Sequence, residues 1–257
     1  MKLLGTAFDY SIRFGIENRR WARHHEVVAS KGVEVSESQD FERGVCLRRL
    51  YNQAAACASC ERELHTYSDE LLDAYLVMAE LDLLWRESPG HRPRREFSEI
   101  LREDLRSYLR IVPWRAFKPH DRALLNPQFR VRSSWPDILK ADPDLVVDSS
   151  IIEVKVGTVK NRARYSPTNL EILQLIAYAV CANLMGFAAD SALVRVEKIG
   201  VFYAGAGAIV EVALADCLPQ EFERRVLEVI LLLAEGDPGI RIDSREATKL
   251  NAILGKF

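Results

Sequence analysis

The chain has 257 residues, 48% of them hydrophobic and 28% charged, with 35 basic against 37 acidic side chains and five cysteines. That composition can bury a full core and excludes a disordered tail, a collagen-like fibre and a disulfide-stapled miniprotein. The formal net charge of −2 excludes polyanion binding by bulk charge, so any nucleic-acid contact must come from local clusters. The length suits one large domain or two small ones.

The amino terminus, Met1 to Asp9, meets a carboxylate before an apolar signal core of about 7–15 residues accumulates, so no secretory signal is expected. Five cysteines, with Cys57 and Cys60 in an alanine-rich helical stretch, fit a reducing compartment better than a disulfide framework, and a cytoplasmic location is expected. Up to about Ile111 the pattern is helical. Thr6 is a candidate helix cap within Gly5-Thr6-Ala7-Phe8-Asp9-Tyr10, and Ser68 caps a helix opening with Asp69-Glu70-Leu71-Leu72. Ser88-Pro89-Gly90 breaks the chain. A further helix is predicted from Glu96 to Ile111, with Arg102, Arg106 and Arg110 on one face. Prolines at 113, 119, 127 and 136 then forbid a long regular element from Val112 to Lys140.

After Lys140 the character changes. Asp144-Leu-Val-Val-Asp148 and Ile151-Ile-Glu-Val-Lys-Val156 are β-branched runs around a Ser-Ser turn, which predicts a hairpin. Thr168-Asn-Leu-Glu171 is a capping box opening an apolar helix, with Gly186 as its stop. Ile172 to Ala189 carries no charge over 18 residues, the lower limit for a membrane span. Gln174, Asn183 and the acidic flanks Glu171 and Asp190 favour a helix buried against a sheet instead, so no membrane is expected. A strand from Arg195 to Tyr203, a small-residue turn and a strand from Ala208 to Leu214 follow. Helices from about Gln220 to Glu235 and near Arg245 to Leu254 close the chain.

Strand alternation puts Glu153 and Lys155 on one face. A Ser149-Ser150 loop would set Asp144 opposite Lys155, and an Asp148-Ser149 loop would set it opposite Glu153; both gather the three side chains on that face. Two carboxylates supply hard oxygen ligands for Mg²⁺, and an ammonium can position a water or stabilise developing negative charge. Phosphodiester hydrolysis needs those parts. An acid two residues before a lysine is expected about once by chance at this composition, and a Glu-Lys pair on a strand is commonly a solvated surface feature. The conjunction with an apolar strand and with Pro143-Asp144 at hairpin distance raises the signal above the tripeptide alone.

Pro143-Asp144, Glu153-Val154-Lys155 and Gln174-Leu-Ile-Ala-Tyr178 together resemble the PD-(D/E)xK nuclease superfamily, the restriction-endonuclease-like fold, and in particular its RecB-like exonuclease branch. The resemblance covers roughly Asn126 to Leu214. It implies an α+β fold in which a mainly helical region, 1–125, packs on a core, 126–257, with a central mixed sheet flanked by helices. It also implies that Asp144 and Glu153 hold the metal, Mg²⁺ or Mn²⁺, that Lys155 serves the attacking water, and that Gln174 and Tyr178 orient the scissile strand. Many members add an acidic residue on a helix before the sheet, for which Glu61, Glu80 and Glu99 are the choices here; Asp142 shares the strand parity of Asp144 and could take its role. Cluster-bearing RecB-like enzymes use four cysteines, three of them near the carboxyl end, whereas only Cys181 and Cys217 lie in this second half, so no iron–sulfur cluster is expected.

Cys57-x-x-Cys60 with Cys46 and His65 has zinc-like spacing, although small core side chains are the commoner use of such a helical run. From His91 to Arg132 eleven Lys or Arg face five acids, a net +6. Arg102, Arg106 and Arg110 belong to this cluster, and Lys160, Arg162 and Arg164 form a second one after the motif; with Trp114, Phe117, Trp135 and Tyr165 among them, they are candidates for nucleic-acid contact. The reading is therefore an Mg²⁺-dependent deoxyribonuclease that hydrolyses DNA phosphodiester bonds, with RNA also compatible, acting as a homodimer or within a larger complex. The alternative is a non-catalytic nucleic-acid-binding subunit of a defence, repair or recombination complex. A third is an interaction protein assembled through the Phe222 to Leu233 helix.

Overall fold

A computed structural model describes residues 2–22, 28–39, 41–60, 66–86, 92–130, 142–156, 167–188 and 195–234. The fold is α+β, with a five-stranded mixed sheet and helices. Two compact units partition the chain: one holds the residues up to Lys118 with the short returns Lys155–Lys160 and Ala204–Ala208, and the other holds the remainder.

The first unit is helical: α1 (Lys2–Asn18), α2 (Val28–Gln39), α3 (Phe41–Ala58), α4 (Asp69–Arg86) and α5 (Glu99–Arg110). Its centre is α4, which packs against the other four helices. This explains why α4 is apolar nearly all round, with Leu71, Leu72, Tyr75, Leu76, Met78 and Leu81 buried. Ser68 caps it as expected, its Oγ accepting from the Leu71 N–H at 3.3 Å. The buried Asp82 of α4 accepts from the Tyr10 hydroxyl at 3.0 Å, and that hydroxyl accepts from the Ala29 N–H at 2.9 Å, so one phenol ties α1, α2 and α4 together. Burial, reinforced by the Asp82 charge, pushes the Tyr10 phenol well above its ordinary pKa. Thr6 is no cap, because α1 has already begun at Lys2.

Ser98 caps α5, and the arginine stripe forms as the spacing predicts. Arg102 makes a fork to Asp73 of α4 at 2.7 and 2.9 Å, Arg106 bonds Asp69 and Glu103, and Arg110 bonds Glu103 at 3.2 Å. Planar guanidinium–carboxylate forks of this kind fix orientation as well as charge. The stripe thus clamps α5 onto α4.

The second unit carries most of the sheet, in the order β1 (Ala123–Leu125), β2 (Leu145–Val147), β3 (Ser150–Lys155), β4 (Lys198–Tyr203) and β5 (Ala208–Ala213). β1, β2 and β3 are successively antiparallel. From β3 the chain crosses through α6 (Asn169–Met185) to β4. The Glu197 and Lys198 N–H groups donate to the Ser149 carbonyl at 2.8 and 3.2 Å, so β4 starts beside the start of β3 and runs parallel to it. A short turn, closed by Gly207 at φ 61°, brings β5 back along β4. After β5 come α7 (Leu214–Cys217) and α8 (Glu223–Ala234).

α6 has both halves of the expected capping box, Thr168 with Glu171, and ends at Gly186, whose φ of 73° suits glycine. It buries Ile172, Leu175, Ile176, Ala179 and Val180 with Val146, Ile151, Ile199 and Val201 of the sheet. Asn183 pairs with both backbone groups of Val196, accepting at 2.6 Å and donating at 3.2 Å, which docks the end of α6 beside the entry to β4. No helix among the described residues is long and apolar enough to cross a membrane.

Among the described residues from 112 to 130 the elements are short, as the proline spacing predicts: a 3-10 turn at Trp114–Phe117 and the three-residue β1 between Pro119 and Pro127, whose ladder needs only its own non-proline N–H groups. The first unit's leading segment ends at Lys118, and β1 belongs with β2 in the second unit. The helix expected near Arg245 to Leu254 lies outside the described residues.

The β2–β3 loop is Asp148-Ser149, with Asp148 at φ 51°. The Asp148 carboxylate accepts N–H bonds from His120, Asp121 and Arg122 at 2.8–3.2 Å. Burial acts to raise its pKa, but these bonds outweigh it and hold the carboxyl below its ordinary value of 3.8. A group depressed on folding contributes stability that is full above the unfolded pKa and lost as pH falls through the folded one. Asp148→Asn keeps a residue that tolerates positive φ but removes the charge. Urea midpoints for this variant should fall less than those of the wild type between about pH 6 and pH 3; equal acid losses would contradict the anchoring role.

Candidate active site

The observed ladder decides between the two hairpin registers. Leu145 pairs with Ile152 and Val147 with Ser150, and continuing that register one step beyond β2 sets Asp144 opposite Glu153. On the same face, the next pair toward the loop is Val146 with Ile151, both buried in the α6 cluster. Asp144 and Glu153 therefore lie on the α6 side of the sheet, one step beyond the point where that apolar cluster ends. Lys155, the last residue of β3, shares the face of Glu153 by alternation.

Each acidic side chain is held. Glu153 is only 8% exposed, and its Oε2 is shielded from solvent. Asp144 accepts from the Val154 N–H through Oδ2 at 2.8 Å, so the backbone of β3 orients a carboxylate carried by the loop into β2. On α6, Gln174 Nε2 donates to the Tyr178 hydroxyl at 2.8 Å, as residues four apart on one helix face can. Tyr178 is half-buried, with its ring 5.9 Å from that of Phe129. Its phenol is raised above the ordinary value chiefly by burial; the Gln174 bond acts the other way, and the charges of Glu153, Asp144 and Asp142 add to the rise. Because Asp144 and Glu153 lie on the α6 side of the sheet, they and the α6 pair face the same layer.

Asn126 is a residue the sequence reading missed. It follows β1 at φ 43°, donates its N–H to the Asp144 carbonyl at 3.1 Å and brings its side-chain amide to within 3.5 Å of Asp142 Oδ2. The available signal was Asn126-Pro127, since asparagine tolerates the left-handed region and often precedes a turn.

The other candidates have different surroundings. Arg102, Arg106 and Arg110 are engaged by carboxylates of the helical unit. Trp114 lies under the Arg19 guanidinium at 3.9 Å and donates to Tyr67, while Phe117 is buried, so both aromatics have structural roles. Glu80 is buried and bonded to Arg94 at 2.7 Å, and Glu99 pairs with Arg102 and Arg106. Cys46 is exposed, and Cys57 and Cys60 are half-buried at the end of α3. Lys160, Arg162, Arg164, Trp135, Tyr165, Glu61 and His65 lie outside the described residues.

Among the described residues no group of three or more His, Cys, Asp or Glu side chains is arranged to hold a metal ion. That count does not weigh against Mg²⁺, which keeps several waters and commonly takes only one or two protein carboxylates alongside substrate phosphate. The opposed Asp144 and Glu153 are such a pair. Their oxygens are hard donors of the kind a small divalent cation takes.

The bond from Val154 gives Asp144 a structural duty separable from any chemistry. Asp144→Ala should cost about 1–3 kcal/mol by stranding that N–H, whereas Asp144→Asn retains an acceptor and should cost less. Equal urea midpoints for the two variants would contradict the bond's role. Comparison with family models, curated proteins and solved structures returned no match for this chain.

Proposed function

We propose that the chain is a divalent-metal-dependent nuclease that hydrolyses DNA phosphodiester bonds on a restriction-endonuclease-like core of the PD-(D/E)xK, RecB-like type. The observation that carries this reading is the register that sets Asp144 opposite Glu153, with Lys155 next on the same face. The topology supports it: three successive antiparallel strands, a crossing helix and a strand parallel to the third. The hydrogen-bonded Gln174 and Tyr178 on that crossing helix supply the remaining parts of the motif.

Asp144 and Glu153 would hold Mg²⁺ or Mn²⁺, which when bound offsets charge on the phosphate and acidifies water. The Val154 N–H keeps Asp144 turned toward β3, which is where it would need to stand to share a cation with Glu153. Lys155 orients the attacking water and stabilises the negative charge that develops on the phosphoryl oxygens. Water adds to phosphorus, the P–O bond to the leaving strand breaks, and the leaving oxygen takes up a proton. Gln174 orients the Tyr178 hydroxyl, which as a phenol is protonated near neutral pH and is therefore available to donate to a phosphate oxygen.

Purified protein is incubated with circular single-stranded, circular double-stranded and linear DNA in Mg²⁺, Mn²⁺ or EDTA. Cleavage in metal is expected, with a loss of about 100-fold or more in Lys155→Ala while the variant stays folded. Cleavage in EDTA, or undiminished cleavage by the variant, would overturn the assignment. No cleavage in any condition, with DNA retained in a salt-dependent manner, would move the reading to a non-catalytic nucleic-acid-binding subunit.

A further inference from the structure

The end of α3 carries a chemical feature that the proposed nuclease does not use. Cys57 lies in the last turn of that helix and Cys60 just beyond it, separated by Ala58 and Ser59. The Cys60 N–H donates to the Cys57 carbonyl at 3.0 Å, so the four residues close into one tight turn. A chain that makes this bond keeps its first and last Cα atoms within about 7 Å, a separation at which a disulfide can close. Both thiols are half-buried, within reach of a small reagent, whereas Cys181 and Cys217 are buried.

The same spacing suits zinc, but Cys46 stands eleven residues earlier on α3, about 16 Å away along the helix axis. Among the described residues no third His, Cys, Asp or Glu joins the pair to hold a metal ion. Two-thiol chemistry is what the geometry leaves. Cys60 has already left the helix, so it can swing toward Cys57 by adjusting the turn without unwinding α3. A bridge across so few residues removes little chain entropy, and strain in so short a ring leaves it easily reduced. We infer that Cys57 and Cys60 form a reversible dithiol–disulfide site, oxidised by exchange with a low-molecular-weight disulfide of the glutathione class. One thiolate attacks the S–S bond of the reagent and expels a glutathione thiolate; the second attacks the resulting mixed disulfide and expels the other. Two electrons pass from the cysteines to the reagent, and the two thiol protons end on the two glutathiones. The turn that is bridged also holds α1, because the Ala58 carbonyl between the cysteines accepts from Asn18 Nδ2 at 2.9 Å. Oxidation therefore acts on the joint between the ends of α1 and α3.

The full chain is incubated in native buffer with glutathione of stepped redox ratio, quenched with acid, alkylated, digested with trypsin and analysed by mass spectrometry. Residues 50–62 are released as one peptide holding both cysteines, and Cys46 falls in 44–48. In excess oxidised glutathione the internally bridged 50–62 peptide should exceed its singly glutathionylated form by about tenfold or more, because the second thiol acts intramolecularly. Dithiothreitol should restore both thiols. Cys57→Ser and Cys60→Ser should each stop at the mixed disulfide, with circular dichroism as the folding control. Persistent glutathione adducts on the wild-type peptide, unreacted thiols throughout, or bridging in urea but not in native buffer would each overturn the inference.

Discussion

The constraint on which the site depends is the two-residue loop between β2 and β3. A one-residue slip would turn every side chain of β3 to the other face of the sheet, sending Glu153 and Lys155 away from α6. Two features hold the register. The apolar pair Val146 and Ile151 is buried under α6, and the Asp148 carboxylate gathers three backbone N–H groups from the segment that leads into β1. The loop therefore fixes β1, β2 and β3 together. The opposition of Asp144 and Glu153 is a consequence of that local geometry.

The charged groups stand one step beyond a buried apolar pair, at the edge of the core. A carboxylate 8% exposed is costly to ionise unless a positive charge or hydrogen bonds compensate. Setting it at the end of the apolar cluster keeps one side in low dielectric, where electrostatic interactions are strong, and leaves the other toward the strand ends. The Val154 N–H provides one compensating bond to Asp144. The Gln174–Tyr178 pair brings neutral donors to the same neighbourhood from α6, so the site joins two elements whose relative position is fixed by the core between them.

Much of this was legible in the sequence, and for identifiable reasons. Thr168, Glu171 and Gly186 mark both ends of α6 through local backbone chemistry, which needs no knowledge of distant contacts. The hairpin was readable from β-branched runs, and alternation limited Asp144, Glu153 and Lys155 to one face. The choice of register was not readable, because both loops use small polar residues that suit a turn; the decision comes from Asp148, whose three partners lie more than twenty residues away. The arginine stripe of α5 was visible, but its partners on α4 could not be seen from spacing alone, so charge available to a ligand and charge already paired looked alike. Asn126 was missed because its significance is a left-handed backbone and contacts with two residues of a different strand.

The central claim is that Asp144 and Glu153, brought opposite each other by the hairpin, share one small divalent cation. The most direct measurement is crystallographic: crystals soaked in Mn²⁺ and measured with anomalous scattering. The account predicts a peak bridging the two carboxylates, about 2.0–2.6 Å from an oxygen of each, the range for hard cations on oxygen ligands. Full occupancy elsewhere, or no peak between these residues at saturating Mn²⁺, would contradict it.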